Sequence, residues 1–387
     1  MSWRSRLIQI SLASSLSVGV IYLVQPLLKL IADDFGISTT VATIVASMFL
    51  VGYAVGVLTL IALSDRIQPR TQVQVQAVAV AGFLALAAFA PNFVVLCIAA
   101  FGAGVCTTIA QILLSTMIKA APPEDAGSTT GVLVGAFLTG LFGSRILAGV
   151  IGSAVGWRPV VAGTAVLMLA EVPVLRRATP VLEVDRSRSY WSILRSLPRL
   201  VARNPVLRIG TFIQFSSFAG FQALWSLLAL HLISPPISWS VAAAGAVGAI
   251  GFLAGVVSIA ASRLIDRFGV ATVLGSALIL MLASAVGVAF FTDLPVALIA
   301  AFFGLTLALQ IIQVSTQSRA LRSAGPMDTG RANSVYMFGA FIGGSAGTAI
   351  GGVLYGANGF AAVAVFAIAT TIIAGVGYLV SGRRRLV

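Results

Sequence analysis

The sequence predicts an all-α integral membrane protein with twelve transmembrane helices, arranged as two pseudo-symmetric six-helix bundles. Three observations support this fold class: the apolar composition, the series of long apolar runs, and a short motif that occurs once in each half. Of 387 residues, 59% are hydrophobic and 9% are charged, whereas soluble proteins carry about 25% charged residues. So few charges cannot cover the surface of a soluble protein of this size, and the soluble classes are excluded.

Twelve apolar runs follow one another along the chain. Each is close to the roughly 20 residues that a helix needs to cross a bilayer. The first run is too long for the apolar part of a signal peptide and leads directly into a second, so we expect it to stay in the mature protein. The predicted helices 1 to 12 span residues 7–31, 40–63, 71–90, 93–118, 128–154, 159–175, 209–232, 241–262, 270–291, 296–318, 332–354 and 360–381.

One long polar stretch divides the chain into two sets of six helices. The prediction is an N-terminal bundle over 1–175, a cytoplasmic linker over 176–208 and a C-terminal bundle over 209–387. Within the linker, Tyr190 and Trp191 are followed by regularly spaced Leu and Arg residues. This pattern is typical of an amphipathic helix that lies on anionic lipid headgroups. A flexible, arginine-rich linker explains the same residues equally well.

The positive charges predict the orientation of the protein. If the helices alternate in direction, all Lys and Arg residues except Lys29, Arg145 and Arg158 fall within segments on one side. Because cytoplasmic loops concentrate Lys and Arg, both termini are predicted to be cytoplasmic. The net charge of +13 therefore reflects orientation, and we expect no nucleic-acid partner.

The sequence lacks the residues that several classes of function need for their chemistry. Cys97 and Cys106 lie in one apolar run and His231 is the single histidine, so a disulfide framework or a metal site is not expected. There is no phosphate-binding Gly-Lys-Ser/Thr loop for ATP. We predict no cofactor and no enzymatic activity, and we expect any transport to use an ion or substrate gradient.

An internal repeat points to the architecture. The loop after predicted helix 2 contains Asp65-Arg66 and the loop after predicted helix 8 contains Asp266-Arg267, at the same place in each half. Helices 5 and 11 are both rich in glycine. Two parallel six-helix repeats around a central site are typical of transporters that work by alternating access.

The residues around these pairs resemble the signature of the major facilitator superfamily, Gly-x-Leu-x-Asp-Arg-x-Gly. The second copy departs from it only at Ser262, whereas the first copy has Ile61 and Gln68 in place of the two glycines. In that family the signature has a gating role. The resemblance therefore implies gating residues, which are Asp65, Arg66, Asp266 and Arg267. Each Asp would meet the positive N-terminal end of a helix in the other half.

Three further segments resemble a bacterial branch of that family, the drug and sugar efflux permeases of the drug:proton antiporter type. They lie at 22–28 in helix 1, at 144–158 in helices 5 and 6, and at 317–333 in helices 10 and 11. The resemblance implies a secondary active transporter of the bacterial cytoplasmic (inner) membrane that exports a small drug-like, metabolite or sugar-like compound. Import is the alternative. A channel is less favoured because no carbonyl-filter sequence is present, and a receptor because no sizeable soluble domain exists.

Two departures from the proton-driven members concern coupling. Those members often carry an arginine in helix 4 where Ala99 stands, and antiporters carry a Gly-Pro pair in helix 5 where this chain has Ser144-Arg145. The remaining candidates for coupling are Arg145 and Glu171.

Apart from Lys29 near the outer end of the first run, Arg145 and Glu171 are the charges within the apolar runs. A charge at the centre of a helix costs about 2.5–3.5 kcal/mol on insertion scales, so Arg145 needs a partner. It either recognises an anionic or carbonyl-bearing substrate, takes part in coupling, or donates to carbonyls of neighbouring helices. Glu171 either carries a coupling proton or, as its position near Arg176 and Arg177 favours, forms an ion pair at the membrane interface.

Uncharged polar residues recur at helical spacing on helices 1, 4, 7 and 10, and should face the interior because amides in hydrocarbon need partners. Amides, hydroxyls and aromatic rings suit a moderately polar or amphiphilic organic molecule. We expect a monomer whose partners are a small-molecule substrate, membrane lipids and, with coupling, protons. The predicted substrate cavity consists of Tyr22, Gln25, Gln111, Arg145, Phe218, Gln222, Trp225, Gln310, Gln313 and Tyr336.

Overall fold

The computed structural model describes residues 2–63, 66–122, 125–182, 190–258, 261–325 and 328–380, and the regular elements in this part of the chain are all helices. Ten of them are long and apolar enough to cross a membrane. The last of the ten contains two spans that meet at Gly359, and a further span is assembled from shorter pieces. The predicted fold class, an all-helical membrane protein with twelve spans, is confirmed.

The spans α1 to α12 follow the order of the predicted helices. The bounds are Trp3–Phe35 (α1), Thr39–Leu63 (α2), Pro69–Ala88 (α3), Phe93–Ala120 (α4), Ala126–Val155 (α5), Trp157–Ala178 (α6), Pro205–Ile233 (α7), Val241–Ala246 with Gly248–Ser258 and Ala261–Phe268 (α8), Val270–Phe290 (α9), Pro295–Ala324 (α10), 329–358 (α11) and 360–380 (α12). We call α1–α6 the N-terminal half and α7–α12 the C-terminal half.

Several spans are interrupted where the sequence disfavours a continuous helix. In α1, a 3₁₀ turn over Gln25–Leu27 separates two α-helical pieces, because Pro26 has no backbone N–H to donate. In α6, the helix Trp157–Ala170 ends at Glu171 and a new helix begins at Val172. These interruptions place Gln25 and Glu171 at breaks inside the membrane-spanning part.

The two halves each bury their own apolar core. One cluster consists of residues of α1–α6, and a second consists mainly of residues of α7–α12, joined by Leu138 and Phe142 from α5. A third, smaller cluster crosses the boundary and packs Tyr22 and Tyr53 with Tyr336. The halves are thus separate packing units that touch along a shared surface.

Close helix approach holds this shared surface together at two pairs of helices. Between α2 and α11, a Cβ at Gly352 would collide with the side chain of Thr43, and the Ser345 hydroxyl donates to the Ser47 carbonyl at 3.0 Å. Between α5 and α8, a Cβ at Gly251 would collide with the ring of Phe142. Small residues permit such approach because apolar lipid supplies no hydrophobic force between helices.

A helix over Tyr190–Arg203, the linker helix, connects the halves. Because successive spans alternate in direction, this helix lies at the same end of the bundle as Trp3 and Val380. We call that end the linker face and the opposite end the distal face. Leu197 is buried, whereas Trp191 is 64% exposed. The predicted contact of this helix with lipid headgroups remains a prediction.

Candidate functional site

The site is built around Arg145, a charged residue in the interior of α5. Glycine brings α5 directly against α1, since a Cβ at Gly140 would collide with the Ser15 carbonyl. Arg145 therefore faces α1 where the 3₁₀ turn at Gln25 interrupts that helix. The Arg145 side chain is only 6% exposed.

Gln25 is the hydrogen-bonding partner of Arg145. The Nε of Arg145 donates to Oε1 of Gln25 at 3.0 Å. The Nε2 of Gln25 is buried and has no hydrogen-bond partner among the described residues. An amide that accepts from the guanidinium therefore keeps its own two N–H donors unused.

Aromatic rings from both halves surround the guanidinium. Its Cζ lies 4.6 Å from the centroid of Tyr22, 5.1 Å from that of Trp225 and 5.6 Å from that of Phe142. These distances are within the range of cation–π interactions. Because Trp225 belongs to α7, the C-terminal half contributes to stabilising the charge of Arg145, which lies on α5 of the N-terminal half.

A small cavity, partly open to its surroundings, lies beside Arg145 and is lined by residues of both halves. Its polar groups are the Arg145 guanidinium, the Gln25 amide and the Ser226 hydroxyl, and the rest of its wall is aromatic or aliphatic. The N-terminal half contributes α1 and α5, and the C-terminal half contributes α7 and α8. The lining residues are Gln25, Pro26, Arg145, Trp225, Ser226, Leu228, Ala229, Ala244, Gly245, Val247 and Gly248.

Two predicted cavity residues share α7 with Trp225 but are not among the residues that line the cavity. Phe218 and Gln222 precede Trp225 along α7, on the side of the linker face. Phe218 meets Phe341 of α11 at 5.5 Å between ring centroids. Gln222 is fully buried, and neither of its amide atoms has a partner among the described residues. This side of α7 presents unused polar groups at the boundary between the halves.

The other predicted cavity residues do not line the cavity in this structure. Tyr336 is fully buried and shares a hydrogen bond of 2.7 Å with Thr316 of α10. Gln111 lies beside the Tyr53 hydroxyl, and Gln310 and Gln313 are half-buried on α10. The polar faces of α4, α10 and α11 are therefore apart from the cavity around Arg145.

Three features of the cavity were not predicted from the sequence. The Phe142 ring contacts the Arg145 guanidinium at 5.6 Å. Ser226 and the first residues of α8 are part of the cavity lining. Phe142 stands one turn before Arg145, so helical spacing was available as a signal for it. Gly248 and Gly251 on α8, spaced by three residues, similarly indicated a helix that packs closely against a neighbour.

The proposed gating pairs are only partly described. Asp65 and the side chain of Asp266 lie outside the described residues. Arg66 is half-buried, with an Nε that has no partner in the described part of the chain. Arg267 is exposed and its guanidinium stacks on the ring of Phe268 at 5.2 Å. The gating role of these four residues remains a prediction.

Glu171 does not form the expected ion pair. It is 7% exposed, and neither carboxylate oxygen has a hydrogen-bond partner among the described residues. Arg176 and Arg177, on the next turns of α6, are exposed. The helix break before Pro173 turns the carboxylate into the N-terminal half, whereas the two arginines face outwards.

Within the described residues, no group of three or more His, Cys, Asp or Glu side chains is arranged to hold a metal ion. Cys97 and Cys106 are free thiols. His231 stacks on Phe360 at 4.2 Å and its Nε2 is 2.8 Å from the Thr292 carbonyl. These contacts give His231 a packing role.

Comparison with known proteins identifies the family. The family model of the Major Facilitator Superfamily matches residues 10–215 and 210–385. A probable transporter of Streptomyces coelicolor, SCO4007, is 32% identical, with 92% of this chain and 83% of that protein covered. The transporter YgaY of Escherichia coli K12 is 28% identical, with 92% of this chain and 90% of that protein covered.

Solved structures show the same fold. A bacterial homologue of the human lysosomal transporter Spinster, in an inward-facing and unoccupied conformation, superposes with a TM-score of 0.78 at 13% identity, with 100% of this chain and 98% of that chain covered. From the family model and the bacterial relatives, the chain is a multi-pass membrane protein with bacterial homologues, a secondary transporter of small solutes and not an enzyme. It belongs to the Major Facilitator Superfamily.

Proposed function

We propose that this protein exports a small, moderately polar or amphiphilic organic compound, and that the compound binds in the cavity beside Arg145. One observation carries the proposal: both halves contribute to a single cavity around a buried charged group. In alternating access the two halves rock against each other around a central site. A ligand held between Arg145 of α5 and Trp225 of α7 would be exposed to one side or the other by that motion.

The remaining predicted cavity residues fit the path of the substrate towards the linker face. Phe218 and Gln222 precede the cavity residue Trp225 on α7, and Gln222 has two amide atoms without a partner among the described residues. Gln111 lies on α4 of the N-terminal half, and Gln310, Gln313 and Tyr336 lie on α10 and α11 of the C-terminal half. We expect these side chains to contact substrate when the halves separate at the linker face.

The proposal of export by a member of the drug and sugar efflux branch rests on the sequence patterns of helices 1, 5, 6, 10 and 11. The proposed cytoplasmic location of both termini rests on the positive charges of the loops. Import is the second candidate. Proteoliposomes with a known orientation separate the two: a panel of labelled sugars, aromatic acids and cationic dyes is tested for saturable flux in each direction. A conductance that does not saturate would contradict the transporter proposal, and uphill flux only into the cytoplasmic compartment would contradict export.

Glu171 is the proposed carrier of a coupling proton. The Glu171 carboxylate is 7% exposed and lacks a partner in the described part of the chain, and an ionised carboxylate without a partner is costly to bury. An ionisable residue inside a membrane-spanning helix is a functional candidate by default. A proton bound on one side of the membrane and released on the other would link transport to a pH gradient.

In the described part of the chain, the charged groups on the helices that pack against α6 form no ion pair with the Glu171 carboxylate. α1 and α3 contact the segment Val172–Ala178, and neither Arg6 of α1 nor Arg70 of α3 forms an ion pair with it. Arg70 instead donates from Nε to the Thr179 carbonyl at 2.9 Å, and the nearby Arg4 is exposed. α5 contacts the first part of α6, and its Arg145 is bound to Gln25.

Infrared difference spectra of the purified protein test the proton site without any substrate. We expect a carboxylic-acid C=O band that changes between acidic and alkaline pH and is missing in Glu171→Gln. Arg176→Gln, which removes an exposed charge from the same helix, is the matched control and should leave the band unchanged. The same band in Glu171→Gln would show that another group carries the proton.

A further inference from the structure

Arg145 is a buried cation whose counter-charge is missing from the described part of the protein. The three ion pairs found there join Lys29 to Asp33, Arg158 to Asp34 and Arg331 to Asp328, with none at Arg145. Burial of a charge is costly unless the charge is paired and hydrogen-bonded. The Gln25 amide and the aromatic rings stabilise the guanidinium but leave its charge uncompensated.

None of the acidic residues stands at a position in the sequence that corresponds to the depth of Arg145 in the membrane. The chain has 11 Asp and Glu residues, and Glu171 is the one that lies inside an apolar run. Glu171 is on α6 near the linker face and packs within the N-terminal half. The others stand at the ends of the apolar runs or between them. A negative charge at the depth of Arg145 must therefore come from a molecule that enters the cavity.

The donors that face this cavity match a carboxylate. With Nε engaged by Gln25 at 3.0 Å, the terminal N–H groups of the guanidinium form no hydrogen bond to the described residues. The buried Nε2 of Gln25 adds a second unused donor group. A planar guanidinium binds a carboxylate through two parallel hydrogen bonds, and the amide can donate to the same oxygens.

The cavity also limits the charge of the ligand. It holds one cation, whereas a phosphate monoester at neutral pH would bring nearly two negative charges. The remaining wall consists mainly of Trp225, Pro26, Leu228 and aliphatic residues of α8, which suit an apolar body.

From these contacts we infer that the transported compound is a small organic monoanion, whose carboxylate binds Arg145 and whose apolar or aromatic body packs against Trp225. The inference rests on the proposed transport function and names the substrate class of that site. The competing explanation is structural: Arg145 would brace α1, α5 and α7 through Gln25 and the rings, and no ligand would be bound there.

Thermal unfolding of the full chain in detergent, with benzoate, benzamide and benzylammonium as probes, distinguishes these explanations. The three probes share a ring and differ in charge. We expect saturable stabilisation by benzoate and no comparable effect of the neutral or the cationic probe. Equal stabilisation by benzamide, or none by benzoate, would overturn the inference.

Variants connect the effect to Arg145. Arg145→Ala should abolish the benzoate response. Arg145→Lys should weaken the apparent affinity for benzoate by about tenfold, because a single ammonium group replaces the planar, bidentate guanidinium. Gln25→Glu supplies an internal carboxylate next to Nε, so it should keep the fold and still lose benzoate binding. Lys29→Gln removes a cation from an exposed pair and should bind benzoate like the native protein.

The result also separates this inference from the proposed function. If proteoliposomes transport neutral or cationic compounds saturably and benzoate neither binds nor competes, the protein is a transporter and the anion inference is wrong. If benzoate binding depends on Arg145 and none of the compounds is transported, the cavity binds anions and the transport proposal fails. A benzoate response that persists in both Arg145→Ala and Gln25→Glu would place binding elsewhere and refute the site.

Discussion

Two buried charges, Arg145 and Glu171, have different surroundings although their exposure is nearly the same, 6% and 7%. Arg145 is in the wall of a cavity to which both halves contribute, with Gln25 as hydrogen-bonding partner and three aromatic rings around it. Glu171 lies inside the N-terminal half at a break in α6, and its oxygens have no partner among the described residues.

This difference suggests a division of roles. A charge at the boundary between the halves can be reached by a ligand and changes its surroundings whenever the halves rock. A charge within one half keeps its neighbours during that motion, so its main freedom is to gain or lose a proton. We therefore assign recognition to Arg145 and proton coupling to Glu171, and the following predictions test this assignment.

The largest expected effect is the loss of transport in Arg145→Ala. Removal of one member of a buried, hydrogen-bonded charge interaction costs about 2–5 kcal/mol, so we expect transport to fall by about 30-fold or more. Initial rates in proteoliposomes, corrected for the amount of folded protein, measure the effect. Native rates in this variant would exclude Arg145 from substrate binding.

The corresponding change at the other buried charge, Glu171→Gln, should act on coupling alone. Exchange of substrate across the membrane should continue, because the cavity is unchanged, while the response to an imposed pH gradient should disappear. The thermal midpoint should stay level or rise, since a neutral amide is easier to bury than a carboxylate. A gradient response that survives the substitution would show that the proton binds elsewhere.

A smaller effect is expected from Trp225→Phe, which keeps an aromatic ring beside Arg145. Tryptophan is the best cation–π partner, and such contacts contribute about 0.5–2 kcal/mol. We expect apparent substrate affinity to weaken by about fivefold with little change in maximal rate. Phe302→Leu, on the far side of Trp225 at 5.5 Å, serves as a control for packing. An equal loss in both variants would indicate that packing alone is responsible.

The smallest effect should come from the linker face, at Asp65→Asn. A charge near a helix N-terminus contributes about 0.3–1 kcal/mol, so a shift of about two- to fivefold in the balance between conformations is expected. Folding should be unaffected. Labelling of single cysteines introduced at the linker face, together with transport rates, reports the shift. Native transport with unchanged labelling would contradict the gating role.

Most of the fold could be predicted from the sequence. Apolar runs are a local property, so a window of residues reveals each span without knowledge of its neighbours. The division of α8 into three helical pieces and the kink at Gly359 did not affect the order of the spans. Of the residues predicted for the site, Tyr22, Gln25, Arg145 and Trp225 lie together in the structure, whereas Gln310 and other polar residues lie apart from the cavity. Their role in substrate binding remains a prediction.

The sequence by itself determined that the protein spans a membrane twelve times and that, apart from Lys29 near the end of the first run, Arg145 and Glu171 are the charges within its apolar runs. The tertiary structure decided which partners they have: Gln25 for Arg145, and none of the nearby arginines for Glu171. The physical reason is that partner choice depends on the rotation and closeness of helices far apart in the chain. Glycine contacts such as Gly140 with Ser15 set that rotation, and no hydrophobic pattern encodes it.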